Sequence, residues 1–382
     1  MKKNYVIKNR LKLSVSKPAL IQKDLNYLSK SLNEGWISSS GPYINKFEKE
    51  FANFVSKKYS VLVSNCTAAL EISIKSLNLP KKSEVIIPNF TIISNALSVF
   101  KNDLKIVPVD CDLITWNMNI KEIEKKITKK TKAIIGTHIY NYPMDIDRLS
   151  KICKSNNIHL IEDAAEVLGL KYKNRQCGYF GDISVFSFYA NKQITMGEGG
   201  IICTNNRKIY KKCLSLRNLC FGEKNRFNHN DIGWNYRITS MQAALGISQL
   251  NRIDNIVKKK IQIGKRYYSK LKNNKNFYIP KPVYNDKKNI YWVVGILLKS
   301  NNSKITAKTL GNFLKSHGIE TRPFFWPINK QEIFKRLKLP FTKKKFINSE
   351  YMSRYGLYLP ASLNIKNNEI DYVCKTLNSY NF

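Results

Sequence analysis

A lysine and an aspartate, each placed after an apolar run, are the residues of this chain best suited to chemistry. Residues 183–188 are apolar, aromatic and β-branched, which predicts a buried strand, and Lys192 is expected to close it. Asp163 follows a second predicted core strand, at 159–162, which ends in carboxylates. Lysine is rarely buried without a partner, so this amine is either a surface residue or an amine held for a reaction. The pair suits pyridoxal phosphate, since the amine can hold the aldehyde as a Schiff base while the carboxylate keeps the pyridine nitrogen protonated.

Two polar or glycine-rich segments could complete such a site. Residues 64–67, with Thr67 at their end, follow a short strand and open a helix, and free amide groups at a helix start can hold a phosphate. An ordinary helix cap is the alternative for these residues, as it is for Asp163. Residues 197–200 (Gly-Glu-Gly-Gly) lack the spacing of a phosphate-binding loop. They predict a tight turn that lets the backbone pass close to a cofactor.

The elements that position these residues alternate along the chain. Strand-like and helix-like segments alternate from about residue 45 to 205, which predicts an α/β domain with a mostly parallel sheet. A basic amphipathic stretch at 239–271 predicts one or two long helices that bridge domains, and residues 275–382 predict a smaller α+β unit. We therefore expect a cofactor-binding large domain at 1–250 and a small domain at 251–382. The predicted strands are 61–63, 84–88, 105–109, 133–137, 159–162, 184–188, 200–204 and 291–298, and the predicted helices are 68–77, 94–100, 120–127, 146–155, 307–316 and 370–377.

The composition limits the classes of function. The chain of 382 residues has 65 basic and 27 acidic residues, a formal net charge of +38 that would attract nucleic acid or an anionic substrate. The lysines are spread along the whole chain without a basic and aromatic stripe, which favours exposed surface charge over nucleic-acid binding. Eight cysteines without a C-x-x-C pair predict reduced thiols, and four scattered histidines argue against a metal site. The start at residues 1–5 lacks the apolar stretch of a signal peptide and no run is long enough to span a membrane, so we expect a cytoplasmic protein.

Taken together, these motifs and several others resemble the DegT/DnrJ/EryC1/StrS family of sugar aminotransferases, nearly end to end. The resemblance implies the aspartate aminotransferase-like fold (fold type I), with a mostly parallel seven-stranded sheet in the large domain and a smaller C-terminal α+β domain. The segments that carry it are 35–42, 64–70, 162–166, 181–188, 191–192, 197–200, 233–239 and 320–323.

The resemblance also implies an activity. It implies a pyridoxal 5'-phosphate-dependent transfer of an amino group from L-glutamate to a nucleotide-linked keto-deoxy sugar. Within the family the likeness favours conversion of GDP-4-keto-6-deoxymannose to GDP-perosamine, as in O-antigen synthesis. UDP- and dTDP-linked keto sugars, aminated at C4 or C3, stay open as substrates. A basic nucleic-acid-binding protein on an inactive enzyme fold is a further alternative, which the intact lysine and aspartate disfavour. Related dehydratases carry histidine in place of Lys192, so that branch is disfavoured as well.

Residue roles follow from the same resemblance. Lys192 would bind the cofactor and shuttle protons, Asp163 would pair with the pyridine nitrogen, and Glu166, expected on the same helix start, would lie over the ring or its hydroxyl. Arg237, in the matching segment 233–239, could be an ion-pair residue at the subunit interface and not part of the site. The phosphate would be held by Ser187, Thr67, the backbone at Cys66 and, from a neighbouring subunit, Asn235, which makes a homodimer the active unit.

The predicted substrate contacts are Trp36, Ser38, Ser39 and Asn329. An ordinary entry turn is the alternative for the first three. The chain departs from the family pattern at Cys66, where many relatives have glycine, and at Ile92, where an aromatic residue commonly stacks on the ring. It also departs at Asn141, in place of a glycine, and at Asn329, in place of a histidine found in some relatives.

Overall fold

The structure is a computed structural model that describes residues 13–222, 224–299 and 304–381. Residues 1–5, on which the expected lack of a signal peptide depends, lie outside this part. The strands are β1 (Tyr59–Val63), β2 (Glu84–Pro88), β3 (Lys105–Val109), β4 (Thr131–Thr137), β5 (His159–Asp163), β6 (Lys171–Tyr172), β7 (Arg175–Gln176), β8 (Ile183–Ser187), β9 (Gly200–Thr204), β10 (Phe277–Tyr278), β11 (Val283–Tyr284), β12 (Lys287–Lys288), β13 (Val294–Leu298), β14 (Arg322–Pro323) and β15 (Gly356–Leu359).

The helices cap and cover these strands. They are α1 (Gln22–Asn33), α2 (Pro42–Phe54), α3 (Cys66–Ser76), α4 (Ser94–Phe100), α5 (Ile120–Lys126), α6 (Ile146–Ser155), α7 (Arg207–Arg217), α8 (Ser240–Leu250), α9 (Ile253–Leu271), α10 (Ala307–Ser316), α11 (Glu332–Arg336), α12 (Ile347–Tyr355) and α13 (Asn367–Asn378), with short 3-10 turns at Ile328–Lys330 and Pro340–Lys343.

The larger sheet is mostly parallel, as predicted. Its order is β1-β9-β8-β5-β4-β2-β3. Within residues 59–204, which are described without a gap, β9 is the one strand antiparallel to its neighbours β1 and β8, and the other pairs are parallel. Because β1 and β8 both pair antiparallel with β9, they run in the same direction as the rest. The carboxyl ends of β1, β8, β5, β4 and β2 therefore lie along one edge of the sheet.

Helices cover both faces of this sheet, which explains why its strands are apolar without alternation. On one face, Phe47 and Phe51 of α2 and Leu149 of α6 pack into a core that also contains α8. On the other face, residues of α3, α4 and α7 form a second core, with Leu70 and Leu216 fully buried. These buried layers hold the strand ends in fixed positions.

The second sheet has the order β10-β13-β15-β14 and belongs to a smaller unit. Helix α9 joins the two units, since Ile253 and Val257 lie in the core of the large sheet while Ile263 and Tyr267 lie in the core of the small one. The segment at 13–15 also packs on the small unit, where Leu13 pairs with Ile319. The predicted domain division at residues 250 and 251 stays a prediction.

Some predictions about elements were wrong. The stretch 239–271 forms two helices, within the prediction of one or two, but the first, α8, is not basic and amphipathic, since it contains no charged residue and is almost wholly buried. The strand predicted to begin at Tyr291 begins at Val294, because Tyr291 has a positive φ of 50° that a strand does not allow. Helices α1 and α2 were not predicted. No helix in the described part of the chain is long and apolar enough to cross a bilayer.

Candidate active site

The candidate site lies at the carboxyl edge of the large sheet, where loops from four strands meet. Residues 64–67 follow β1, residues 188–192 follow β8, Asp163 ends β5, and residues 138–140 follow β4. The order of the sheet makes β5 the neighbour of both β8 and β4. In open α/β sheets this edge is where ligands bind. The sequence-predicted lysine, aspartate and helix start are thus brought together by topology.

Lys192 does not close β8, as the sequence suggested, but lies in a turn five residues after Ser187. The Lys192 N–H donates to the Tyr189 carbonyl at 2.9 Å, which closes this turn. The side chain returns over the indole of Trp292, with Nζ at 3.6 Å from the ring centroid. The Trp292 Nε1–H donates to the Asn191 carbonyl at 2.9 Å. The lysine is therefore fixed by a turn and by an aromatic residue that no sequence motif indicated.

The Lys192 amine is placed to be neutral more readily than a free lysine. Burial is the largest influence and lowers its pKa, because removing water disfavours the charged form. The carboxylates of Glu166 and Asp163 and the thiol of Cys66 act in the opposite direction and offset part of this effect. A nucleophile or proton acceptor needs a neutral amine, so the environment suits both tasks.

Asp163 is a buried carboxylate with few described partners. Its side chain is 2% exposed, and its Oδ1 accepts the Ala165 N–H at 3.2 Å. Burial raises its pKa, while the N–H of Ala165 and the positive charge of Lys192 lower it. Such a carboxylate gains from a cation placed beside it. A protonated pyridine nitrogen is a cation of this kind.

Glu166 is buried next to Asp163, but not on a helix, because residues 164–170 form turns. Its Oε2 accepts the Tyr140 N–H at 2.6 Å, and Tyr140 holds a positive φ of 57° there. Its backbone carbonyl accepts the Gln193 side-chain amide at 3.0 Å, which ties it to the lysine turn. Burial raises the pKa of Glu166 to about 7 against the opposing charge of Lys192. The carboxyl is thus a group that titrates near neutrality within the site.

The start of α3 forms the other side of the site. Asn65 caps the helix, since its Oδ1 accepts the Ala68 N–H at 2.8 Å, and the Thr67 hydroxyl is 2.8 Å from that of Ser94. Burial, with the negative charge of Asp163, raises the pKa of the Cys66 thiol well above its usual range. The helix start packs directly on β9, where a Cβ added at Gly200 would lie 2.5 Å from the Asn65 carbonyl carbon and 2.6 Å from Cys66 N. The glycine is required by this close approach of backbone.

A buried hydrogen bond between His138 and Glu162 was missed by sequence reasoning. His138 Nδ1 accepts the Met144 N–H at 3.0 Å, so Nε2 carries the proton and faces Glu162 Oε1 at 3.0 Å. Glu162 also accepts backbone N–H groups of 178–181. Burial opposes its ionisation, but these hydrogen bonds outweigh burial and lower its pKa. The pair links the ends of β4 and β5. The signal available was a polar residue at each end, His138 directly after β4 and Glu162 inside β5.

The residues present fit pyridoxal phosphate in the chemistry of their donor groups. A half-buried amine with a lowered pKa faces two buried carboxylates, which suits an aldehyde and a pyridinium. The helix start at α3, which contains Thr67, and the Ser187 hydroxyl at the end of β8 suit a phosphate. Each of the eight cysteines is a free thiol. Within the described residues, no three His, Cys, Asp or Glu side chains are grouped to hold a metal ion.

Three of the predicted substrate contacts, and two residues expected beside the cofactor, are exposed. Trp36, Ser38 and Ser39 are exposed on the loop between α1 and α2, where the Ser38 carbonyl accepts the Ser240 N–H at 2.6 Å. Asn235 is exposed in an isolated bridge with Asn218. Ile92, in the place expected for a stacking residue, is 46% exposed.

Asn329 is not available to a substrate, contrary to the prediction. It is completely buried, and its Oδ1 accepts the Asn89 side-chain amide at 3.0 Å. Its Nδ2 donates to the Lys344 carbonyl at 3.0 Å and to Glu350 Oε1 at 2.9 Å. These hydrogen bonds hold the 3-10 turn at 328–330 against the end of β2, which is a structural role.

Comparisons with known proteins agree with this geometry. Residues 18–378 match the DegT/DnrJ/EryC1/StrS aminotransferase family. The GDP-perosamine synthase of Escherichia coli O157:H7 is 35% identical over 371 residues, which are 96% of this chain and 98% of that protein. The GDP-perosamine synthase of Vibrio cholerae is 33% identical over 371 residues, 96% and 99% of the two chains. A solved Helicobacter pylori aminotransferase involved in the biosynthesis of pseudoaminic acid has a TM-score of 0.90 at 23% identity, covering 96% of this chain and 98% of that one. The predicted fold type I architecture is confirmed.

Proposed function

Because this chain belongs to the DegT/DnrJ/EryC1/StrS aminotransferase family and uses pyridoxal phosphate as its cofactor, we propose that it transfers the amino group of L-glutamate to GDP-4-keto-6-deoxymannose and forms GDP-perosamine. The family fixes the class of enzyme, and the names of its two GDP-perosamine synthase relatives support the sugar and the nucleotide. UDP- and dTDP-linked keto sugars are the competing substrates.

The amine of Lys192, held among Glu166, Asp163 and Cys66 at the carboxyl edge of the sheet, is the observation that carries this proposal. When bound, pyridoxal phosphate supplies an aldehyde and an electron-accepting ring. Lys192 would be the residue that holds the aldehyde. Once freed by the amine of glutamate, its neutral amine would take up the α-proton of glutamate and give that proton up again within the same half-reaction. In the second half-reaction the same amine would take up a proton and deliver it to the sugar carbon that carried the keto group.

The other residues have supporting roles in this proposal. Asp163 stabilises the positive charge on the pyridine nitrogen, which keeps the ring able to accept electrons. Ser187, Thr67 and the N–H of Cys66 bind the phosphate, together with Asn235 of a second subunit. Glu166 lies beside the ring or its hydroxyl. We place Trp36, Ser38 and Ser39 at the substrate mouth of a homodimeric, cytoplasmic enzyme of surface-glycan synthesis.

A panel of substrates tests the sugar and the nucleotide. The purified protein is incubated with L-glutamate and, separately, with GDP-, UDP- and dTDP-linked 4-keto and 3-keto sugars, and the products are identified by mass spectrometry. We expect amination of GDP-4-keto-6-deoxymannose with release of 2-oxoglutarate. Amination of UDP- or dTDP-sugars alone would remove the perosamine assignment and leave the enzyme class intact.

Two variants test the chemistry. Lys192→Ala removes the amine, so we expect no turnover and no visible absorbance band from lysine-bound cofactor. Asp163→Asn keeps the shape of the side chain but cannot stabilise a pyridinium, so turnover should fall by at least about 100-fold. Full turnover in the lysine variant would reject the assigned role of Lys192. An asparagine variant as active as the wild type would reject only the role of Asp163.

A further inference from the structure

The contact between Lys192 and Trp292 involves the reactive atom itself. Lys192 Nζ lies 3.6 Å from the centroid of the Trp292 ring, well within the range of about 6 Å at which an ammonium is attracted to an aromatic face. Trp292 is 5% exposed, so little water competes for this contact.

Two further contacts fix the indole in this position. Its Nε1–H donates to the carbonyl of Asn191, the residue before the lysine, at 2.9 Å. Its ring packs at 5.9 Å from that of Tyr140, and the Tyr140 N–H is bound by Glu166. The titratable groups that face Lys192 are Glu166, Asp163 and Cys66, and each influences the charge of the amine. Trp292 differs from all three because it favours the ammonium without titrating.

We propose that Trp292 is a positioning residue whose indole face holds the Lys192 amine whenever the amine is not bound to the aldehyde. This inference rests on the proposed function, in which Lys192 leaves the aldehyde and carries a proton between two carbon atoms. During that interval the amine is an ammonium in a site from which most water is excluded. The ring face stabilises this cation and keeps it near the reacting carbon.

The apoprotein offers a test that does not depend on turnover. Pyridoxal phosphate is added to apoprotein at a series of pH values, and the rate at which the covalent adduct with Lys192 forms, with loss of water, is followed by visible absorbance. Only the neutral amine attacks the aldehyde, so the midpoint of the pH profile reports the ionisation of Lys192. Trp292→Met removes the ring, and the midpoint should fall by about 0.4–1.5 pH units, as expected from a cation–π contact of about 0.5–2 kcal/mol. Trp292→Phe keeps a weaker face and should give an intermediate midpoint.

The controls separate the ring face from the indole hydrogen bond and from general packing. Both Trp292→Met and Trp292→Phe lose the hydrogen bond to the Asn191 carbonyl. If the two variants had equal midpoints, the effect would come from that hydrogen bond, and the proposal would be overturned. Trp116 is fully buried against Phe324 at 4.9 Å, and Trp116→Phe should leave the midpoint unchanged.

Fluorinated tryptophan gives a second measurement if the methionine variant does not fold. Replacing all tryptophans by 5-fluorotryptophan keeps the shape and the N–H but withdraws charge from the ring face. The midpoint should fall in the wild-type chain and not in Trp292→Phe, and an unchanged wild-type midpoint would overturn the proposal. If no adduct forms at Lys192 at any pH, the proposed function fails instead.

Discussion

Within the site, the ionisation of the Glu166 carboxyl group should be the easiest to observe. Its pKa is raised to about 7 by burial, above the ordinary value of 4.5. Between these values the unfolded chain is ionised while the folded chain holds a proton, so this group lowers the stability of the fold as the pH rises from 4.5 to 7. Glu166→Gln should therefore increase the free energy of unfolding of the apoprotein at about pH 8 and change it little at about pH 4.5.

Urea unfolding at the two pH values measures this difference. Glutamine keeps an acceptor for the Tyr140 N–H, whereas alanine does not. Glu166→Ala is the matched control and should destabilise the protein at both pH values, because it leaves a buried N–H without its partner. A glutamine variant with the same gain at both pH values would show that Glu166 does not titrate in this window.

Residue types alone predicted only part of this site. Lys192 and Asp163 could be identified because an amine and a carboxylate after apolar runs are uncommon in a core. The contact of Lys192 with Trp292 joins positions 100 residues apart, and no local pattern reports it. Asn329 was assigned to the substrate, but hydrogen bonds to Asn89 and Glu350 use its amide. Which partner a polar side chain takes depends on packing that a single sequence does not show.

At the scale of elements, the junction of β9 and α3 makes a prediction about the phosphate site. Gly200→Ala would place a Cβ 2.5–2.6 Å from the backbone at Asn65 and Cys66, so the helix start must move. We expect a loss of about 1–3 kcal/mol in the free energy of unfolding and weaker binding of pyridoxal phosphate. Urea unfolding of the apoprotein and a titration of the cofactor followed by absorbance measure the two effects.

Gly311 in α10 provides the control for this variant. The nearest atom to a Cβ added there is the flexible Thr321 side chain at 3.2 Å. Gly311→Ala should preserve cofactor binding and stabilise the helix slightly. Unchanged binding and stability in Gly200→Ala would mean that the helix start does not contribute to the phosphate site as described.

Helix α9 contains a buried lysine that predicts a second pH dependence. Lys260 is 7% exposed, and its Nζ donates to the Ala361 carbonyl at 2.7 Å. Burial lowers its pKa to about 7 from 10.5. Between pH 7 and pH 10.5 the Lys260 amine is protonated in the unfolded chain and neutral in the folded chain, so the free energy of unfolding rises with pH. Below pH 7 the folded chain also carries the buried charge, and the loss of stability that this charge causes is complete. Lys260→Met should stabilise the protein more at about pH 6 than at about pH 9.5.

Urea unfolding at about pH 6 and pH 9.5 measures the stability gained in Lys260→Met. The control is Lys258→Met, which changes an exposed residue of the same helix. We expect the control to have nearly the same stability as the wild type at each pH. If Lys260→Met changed the free energy of unfolding by the same amount at both pH values, the pKa of Lys260 would not be lowered by burial.

Several elements have the bounds expected from their sequence patterns, namely the strands β2, β3 and β9 and the helices α4, α6 and α10. The predicted bounds and character of an element were wrong where contacts with distant segments of the chain decide them. Helix α8 was expected to be basic and amphipathic because it was read together with α9, but it is uncharged and buried between other helices. Glu166 was expected on the same helix start as Asp163, but residues 164–170 form turns, and the Glu166 carboxylate accepts the Tyr140 N–H there.

At the scale of the whole molecule, several large apolar side chains of α1 and of the loop after it remain exposed. Leu25 and Leu32 of α1 are 49% and 51% exposed, and Trp36 and Ile37 on the following loop are 40% and 54% exposed. Contiguous exposed apolar side chains commonly mark a protein–protein interface. The homodimer stays a prediction, and its sharpest consequence is that each site needs Asn235 of the other subunit.

Complementation between two inactive variants tests this consequence. Lys192→Ala lacks the amine, and Asn235→Asp places a negative charge against the phosphate, so each homodimer should have little activity. A heterodimer, isolated by two affinity tags, would contain one site with Lys192 from one subunit and Asn235 from the other. That site is wild type, so the heterodimer should recover about half of the activity of a wild-type dimer. If Asn235 served its own subunit instead, every site in the heterodimer would contain one defect and no activity would return.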